Sequence, residues 1–455
     1  MPDPSLTALY LDEVSRTGLT QTDLIPADRV HPVLEAFYKD KFLARPVFLG
    51  HAEYRRLTDD LGRLQDALES LPDKLFGGDL AAFARAVGMV GDQVDLVMRT
   101  QAGRPVTRFG RADLYADATG FRLMEYNMGS TVGLIEVSLL NDGMVEHPTL
   151  AAFAAEHGLG YVDTVGESLV SMRQETGLTA DERPTMALCD WPGEYPANEA
   201  ALRLCGALHE RYNVRTVSAH LGMLEYRDGR VWVGDDPIDV IYRIFMLEHA
   251  LLPGARELMT PLLDAADRGE VRIFTPIGCE VYGSKAALAL LSDEAHRHLF
   301  DPDTLATLDR LLPWTRVTRP GEVTLEDGTR VDLLPYALEH REDLVLKPVL
   351  LHSGHGVILG VDTAPDVWAE RVTSSMDGGA VLQRRLRPVP EPVLTADGEV
   401  VPYTINYGVF RMPSAPEGYG GTALRVAPEA KNIGVLSIYA DPSCLLGSVL
   451  HATKG

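Results

Sequence analysis

Alternation is clearest between residues 110 and 127, which read G-R-A-D-L-Y-A-D-A-T-G-F-R-L-M-E-Y-N. The two-residue period of a strand puts Arg111, Asp113, Glu125 and Asn127 on one face, and Ala112, Leu114, Ala116, Met124 and Tyr126 on the other. The segment is expected to be a hairpin with a three-residue loop, Ala118-Thr119-Gly120, in which glycine takes the left-handed position. Pairing Asp117 with Phe121 then sets Asp113 opposite Glu125 and Arg111 opposite Asn127. Only Arg122 breaks the apolar face. Register carries the whole pattern, since a slip of one residue scatters the polar set.

Helical periods dominate earlier. Leu57, Leu61, Leu64 and Leu68 recur at i, i+4, i+7 and i+11, the stripe of an amphipathic helix that faces a core or a partner chain. Helices are also expected over 30–41, 79–90, 92–100, 134–141 and 151–176, the last interrupted near Gly158. From residue 184 strands alternate with helices. Strands over 185–189, 214–218, 238–245 and 271–275, with helices over 198–211 and 255–268, predict a small doubly wound parallel sheet. The loop 191–194 follows its first strand, where such sheets bind ligands. Asp-Gly turns mark hairpins over 226–233 and 324–331.

Composition narrows the function classes. A net charge of -23 disfavours a nucleic-acid backbone or an anionic membrane as partner, and requires local cations for any polyanion. Only seven of the 42 basic residues are lysines, so a lysine inside an apolar run is a strong lead. Lys285 opens the helical run S-K-A-A-L-A-L-L, an end that the helix dipole reserves for anions. Lys347 sits in the apolar strand D-L-V-L-K-P-V-L, ahead of the glycine loop H-S-G-H-G. Strand, glycine loop and strand is how a mobile lid over phosphates is often built, and Gly354 and Gly356 would give it freedom; a lysine snorkelling from an edge strand is the alternative. Gln383 lies in a further strand, and Arg425 follows the Gly420-Gly421 turn. The four cysteines lack metal or disulfide spacing and read as reduced thiols. The N-terminus carries no secretory pattern and no run is long enough to span a membrane, so the protein is expected to be cytoplasmic.

Asp113, Glu125 and Asn127 are hard oxygen ligands suited to magnesium, and Arg111 has the planar fork that clamps a phosphoryl oxygen. A plain solvent-facing salt bridge is the alternative that pattern alone leaves open. In this order the motifs resemble the glutathionylspermidine synthase-like branch of the ATP-grasp ligases, with R-x-D, E-Y-N, S-K-A and K-P in matching places over residues 105–430. The resemblance implies an α/β (α+β) ATP-grasp fold, circularly permuted, with the parallel-sheet domain inserted between the metal-binding hairpin and the nucleotide lysines. It divides the chain into a helical region (1–100), a metal and phosphate segment (101–180), a small α/β domain (181–278) and a nucleotide-binding region with lid and C-terminal strands (279–455).

It also implies ATP and two magnesium ions. Asp113, Glu125 and Asn127 then hold metal, Arg111 and Arg425 are catalytic, and Lys285, Lys347, Gly354, Gly356 and Gln383 bind the nucleotide. The implied reaction joins a small-molecule carboxylate to an amine of the amino acid, peptide or polyamine class, through an acyl phosphate. On that reading Asp113→Ala or Glu125→Ala abolishes ATP turnover with the fold intact. Two departures point away from glutathione and spermidine as substrates: the H-S-G-H-G loop, and Met-Gly-Ser-Thr after Asn127. An inactive nucleotide-binding scaffold and a small-molecule phosphotransferase stand as alternatives. An oligomer is compatible with the leucine stripe.

Overall fold

Strand-forming residues from distant parts of the chain meet in an eight-stranded sheet. Its main path runs Val47–Leu49, Leu445–Ala452, Tyr419–Pro428, Val400–Arg411, Gly110–Asp117, Gly120–Met128. Glu391–Leu394 joins Val400–Arg411, and Leu159–Gly160 joins Leu445–Ala452. The structure is a computed structural model that describes residues 3–17, 25, 27–43, 45–351, 354–395 and 398–453. The β-branched and aromatic strand Val400–Arg411 lies centrally, antiparallel to both the hairpin and Tyr419–Pro428.

The hairpin departs from its expected register at the turn, and a bulge compensates. Asp117 pairs with Gly120, so the loop has two residues, Ala118 and Thr119. The Asp117 carboxylate closes it by accepting from the backbone N–H groups of Thr119 and Gly120 at 2.7 and 3.2 Å. This shorter loop shifts the register by one residue, and the shift is reversed between Asp113 and Leu114. Met124 is the extra residue of that bulge. Asp113 therefore does lie opposite Glu125, and Arg111 opposite Asn127. The expectation that Met124 packs in the core is corrected: Leu123 is fully buried there while Met124 is only half-buried. The bulge also turns Arg122 to the polar side, where it lies 3.7 Å from Asp117.

The parallel sheet forms as expected, in the order Arg272–Phe274, Val240–Arg243, Thr185–Asp190, Arg215–His220. Its helices are Tyr195–His209 and Ala255–Asp267. A third, antiparallel sheet orders Thr315–Val317, Ala380–Arg384, Leu344–Pro348 and Ile358–Leu359. Both Asp-Gly hairpins are present, as Leu224–Arg227 with Arg230–Val233 and Glu322–Thr324 with Arg330–Asp332. The leucine stripe lies on the helix His51–Glu69, and all four leucines are buried in the chain's own core. Where the helical run is interrupted near Gly158, Leu159–Gly160 form a short strand. Among the described residues no helix is long and apolar enough to cross a membrane. The four cysteines are free, and burial raises their thiol pKa values.

The bulge makes a direct prediction. Leu123→Ala should cost about 2–5 kcal/mol, the usual range for emptying a leucine site in a core. Met124→Ala, at the bulge, should cost under about 1 kcal/mol. Urea unfolding of the two variants checks this; equal losses would mean that Met124 is a core residue after all.

Candidate functional site

Asp113 is fully buried at the centre of the site. The Arg111 guanidinium donates to it through Nε (2.7 Å to Oδ1) and Nη2 (3.1 Å to Oδ2). Arg425 donates to Oδ2 through both terminal nitrogens, at 3.3 and 3.2 Å. Asn127 Nδ2 donates to the same oxygen at 3.2 Å. Each arginine is fixed at a second point, Arg111 on the Gly133 carbonyl (2.8 Å) and Arg425 on Asn406 Oδ1 (2.8 Å). Burial opposes the charge on Arg425, but Asp113 and Glu125 outweigh it and raise its pKa.

Room for this arrangement comes from Gly408, which pairs with Asp113 across the sheet. A Cβ at that position would lie 2.9 Å from Arg111 Cδ and 3.2 Å from the Ala423 carbonyl. Gly408 and Asn406 were missed in the sequence. A glycine inside the strand pattern I-N-Y-G-V-F was the available signal, because it marks a close approach of other atoms.

The two lysines reach the hairpin from separate elements. Ser284 caps the helix Lys285–Ser292, which starts at Lys285 itself. Lys285 Nζ donates to the Leu351 carbonyl at 2.7 Å and lies 3.3 Å from Glu125 Oε2. Lys347 Nζ donates to Gln383 Oε1 at 2.6 Å and to the Met124 carbonyl at 3.3 Å. Gln383 Nε2 donates to that carbonyl as well, at 3.4 Å. The bulge residue therefore gives the lysine–glutamine pair its foothold on the hairpin. Burial lowers the Lys347 pKa to about 8, with Glu125 acting against burial and Lys285 adding to it.

A cavity of about 570 Å³ opens onto these groups. Its wall includes Arg111, Glu125, Asn127, Lys347, Gln383 and Arg425, together with Gly354 of the glycine loop. Asp113 and Lys285 stand behind that wall. Gly354 and Gly356 have φ of 75° and 72°, and each allows a close approach, to Val435 and Pro348 respectively. His352 and Ser353 of the same loop lie outside the described residues.

The sequence reading also missed the segment 432–439, which lines the cavity beside the glycine loop and is tied down by Lys41 Nζ on the Ile438 carbonyl at 2.5 Å. Ser130, just after the hairpin, is tied to the parallel sheet and to the segment that follows it. Its hydroxyl accepts from Arg243 at 2.6 Å and donates to Glu280 at 2.9 Å.

The donor chemistry fits magnesium. Glu125 and Asn127 bring a carboxylate and a carboxamide oxygen to the cavity wall, and Asn127 is turned by its bond to Asp113 so that its amide nitrogen points inward. Asp113 is occupied by two guanidiniums and retains free lone-pair capacity mainly on Oδ1. Among the described residues no group of three His, Cys, Asp or Glu side chains is arranged to hold a metal.

No family model matches the chain. An uncharacterized protein of Mycobacterium leprae is 27% identical over 267 residues, or 55% of this chain, which spans 42% of the length of that relative. Among solved structures, a glutathione synthetase-like effector from Globodera pallida superposes with a TM-score of 0.54 at 12% identity, covering 99% of both chains. A putative gamma-glutamylcysteine synthetase from Methylobacillus flagellatus gives a TM-score of 0.40 at 10% identity, over 89% of this chain and 84% of that one. The first likeness shows the fold: a mixed α/β architecture with several sheets, of the ATP-grasp type expected from the motifs.

Burial of Lys347 has a measurable consequence. Its pKa of about 8 lies below the ordinary 10.5, so between those values the unfolded chain binds more protons and stability rises with pH. Relative to wild type, Lys347→Met should be most favoured below pH 8, with the advantage shrinking toward pH 10.5. Urea unfolding across that range reads the difference, and a flat profile would remove the assignment.

Proposed function

We propose that the chain is an ATP- and magnesium-dependent carboxylate–amine ligase that forms an amide through an acyl phosphate. One observation carries the reading. Arg111, Glu125, Asn127, Lys347, Gln383 and Arg425, drawn from five separate strands, line one cavity, with Lys285 on Glu125. In this reading Lys285 and Lys347 bind the α- and β-phosphates, and Gln383 holds Lys347 while facing the base. Glu125 and Asn127, with Asp113 behind them, hold magnesium. The metal supplies neutralisation of the β- and γ-phosphate charge when bound. Arg111 and Arg425 lie on the path of the γ-phosphoryl group, pre-aimed by Asp113, so that no reorganisation is needed as charge develops. Gly354 and Gly356 let the loop close over the phosphates.

The substrate carboxylate attacks the γ-phosphorus, ADP leaves, and the amine nitrogen then attacks the acyl carbon and expels phosphate. The order of motifs along the chain, hairpin first and lysines later, is read as the circularly permuted form of the fold. Residues 181–278 are then the inserted α/β domain.

Two variants separate the roles. Glu125→Gln should abolish ATP turnover while leaving cooperative unfolding intact. Asp113→Ala should lose turnover and also destabilise the chain by about 3–5 kcal/mol, because it strands two guanidiniums in a buried place. That revises the expectation of an intact fold for Asp113→Ala. The assay is ATP turnover with pooled amino acids, small peptides and polyamines, read by mass for acid plus amine less water. Wild-type turnover in Glu125→Gln would exclude the metal assignment, and a phosphorylated product without amide would make the chain a phosphotransferase.

A further inference from the structure

Five carboxylates among the described residues are buried: Asp60, Asp113, Asp190, Glu280 and Glu391. Four of them hold an arginine of the chain: Asp60 with Arg310, Asp113 with Arg111 and Arg425, Glu280 with Arg243, and Glu391 with Arg45. Asp190 holds none. Its partners are neutral, the Trp191 backbone N–H at 2.8 Å and Asn198 Nδ2 at 2.9 Å. Burying a carboxylate without a countercharge is costly. Asp190 also borders the cavity, beneath its surface, at the end of the first parallel strand.

A second carboxylate is held toward the same space. Glu194, in the turn that leads into the helix Tyr195–His209, lines the cavity and receives a bond from His249 Nε2 at 3.1 Å. His249 is buried and stacked on Trp191, with ring centroids 4.9 Å apart and planes 9° from parallel. Its Nδ1 accepts the Met246 backbone N–H at 2.9 Å, so the ring proton sits on Nε2 and points at Glu194. A buried imidazole fixed at three points thus aims one half-exposed carboxylate. Ile244 and Met246, at the same edge of the parallel sheet, add an apolar surface to the cavity. The cations of the cavity instead sit on the hairpin, on its partner strands and on the nucleotide-lysine sheet.

We infer that Asp190 and Glu194 form the subsite for the ammonium group of the amine substrate, a primary amine with an apolar body that packs on Ile244 and Met246. The inference rests on the ligase reading for the word substrate, but the subsite itself is testable by binding alone. The incoming ammonium supplies the countercharge that Asp190 lacks within the chain. Asn198 and His249 are positioning residues, each bonded to one of the two carboxylates.

The test is saturation-transfer NMR on the full chain with n-butylamine, phenethylamine, leucine amide and putrescine, alongside the uncharged n-butanol and phenethyl alcohol. At least one amine should bind where its alcohol does not. Glu194→Gln should weaken that amine about tenfold or more, as should Asp190→Asn, the loss expected for a charge-assisted hydrogen bond. Glu194 is half-exposed, so its variant keeps the test open if Asp190→Asn fails to fold. Binding of no amine, or equal binding by wild type and Glu194→Gln, would overturn the subsite. The ligase reading is scored separately, by hydroxamate formation from wild type, ATP, magnesium, the pooled acids and hydroxylamine. Absence of hydroxamate would sink that reading and leave the amine-binding result standing.

Discussion

The site depends on one buried carboxylate shared by two guanidiniums. Asp113 has no access to solvent, and Arg111 and Arg425 reach it from different strands. Neither arginine would keep its direction without it, because a guanidinium brought into a low-dielectric interior needs a fixed countercharge. The strand order follows from the same need. Val400–Arg411 separates the hairpin from Tyr419–Pro428, and it carries a glycine opposite Asp113 so that Arg111 can pass. Asn406, on the same strand, holds Arg425 from the other side. Two cations are thereby presented to the cavity in a set geometry while their charge is balanced from beneath.

The bulge at Met124 links this centre to Lys347 and Gln383. It brings Glu125 and Asn127 back into register with Asp113 and Arg111 after a turn that would otherwise misalign them. It also frees a carbonyl that accepts from both Lys347 and Gln383. One inserted residue therefore serves both the polar face of the hairpin and the lysine–glutamine pair, as bulges beside functional sites commonly do. Buried Lys347 is held by neutral acceptors, with Glu125 nearby to offset part of the cost of burial.

Charge is divided along the cavity. Arginines and lysines crowd the hairpin and the antiparallel sheets, with Glu125 among them, whereas the edge of the parallel sheet carries Asp190 and Glu194 with apolar neighbours. In a chain of net charge -23 this division is local, built by the contacts of individual residues. A ligand with an anionic and a cationic part, or two ligands of opposite charge, would be oriented by it before any chemistry began.

Much of this was legible in the sequence because it is carried by short-range pattern. The two-residue period put Arg111, Asp113, Glu125 and Asn127 on one face, the alternation after residue 184 gave the four parallel strands, and the rarity of lysine singled out Lys285 and Lys347. What the pattern did not carry was contact between segments far apart in the chain. Gly408 and the segment 432–439 gain their meaning only where strands and loops hundreds of residues apart are brought side by side, and Asn406 and His249 only where separate strands and loops meet. The loop length and the bulge cancel in their effect on register, so alternation alone reached the right pairing with Met124 assigned to the wrong face. The sequence by itself determined which side chains share a strand face, since that follows from backbone geometry. Only the tertiary structure decided which buried carboxylates meet an arginine and which, like Asp190, meet only neutral donors.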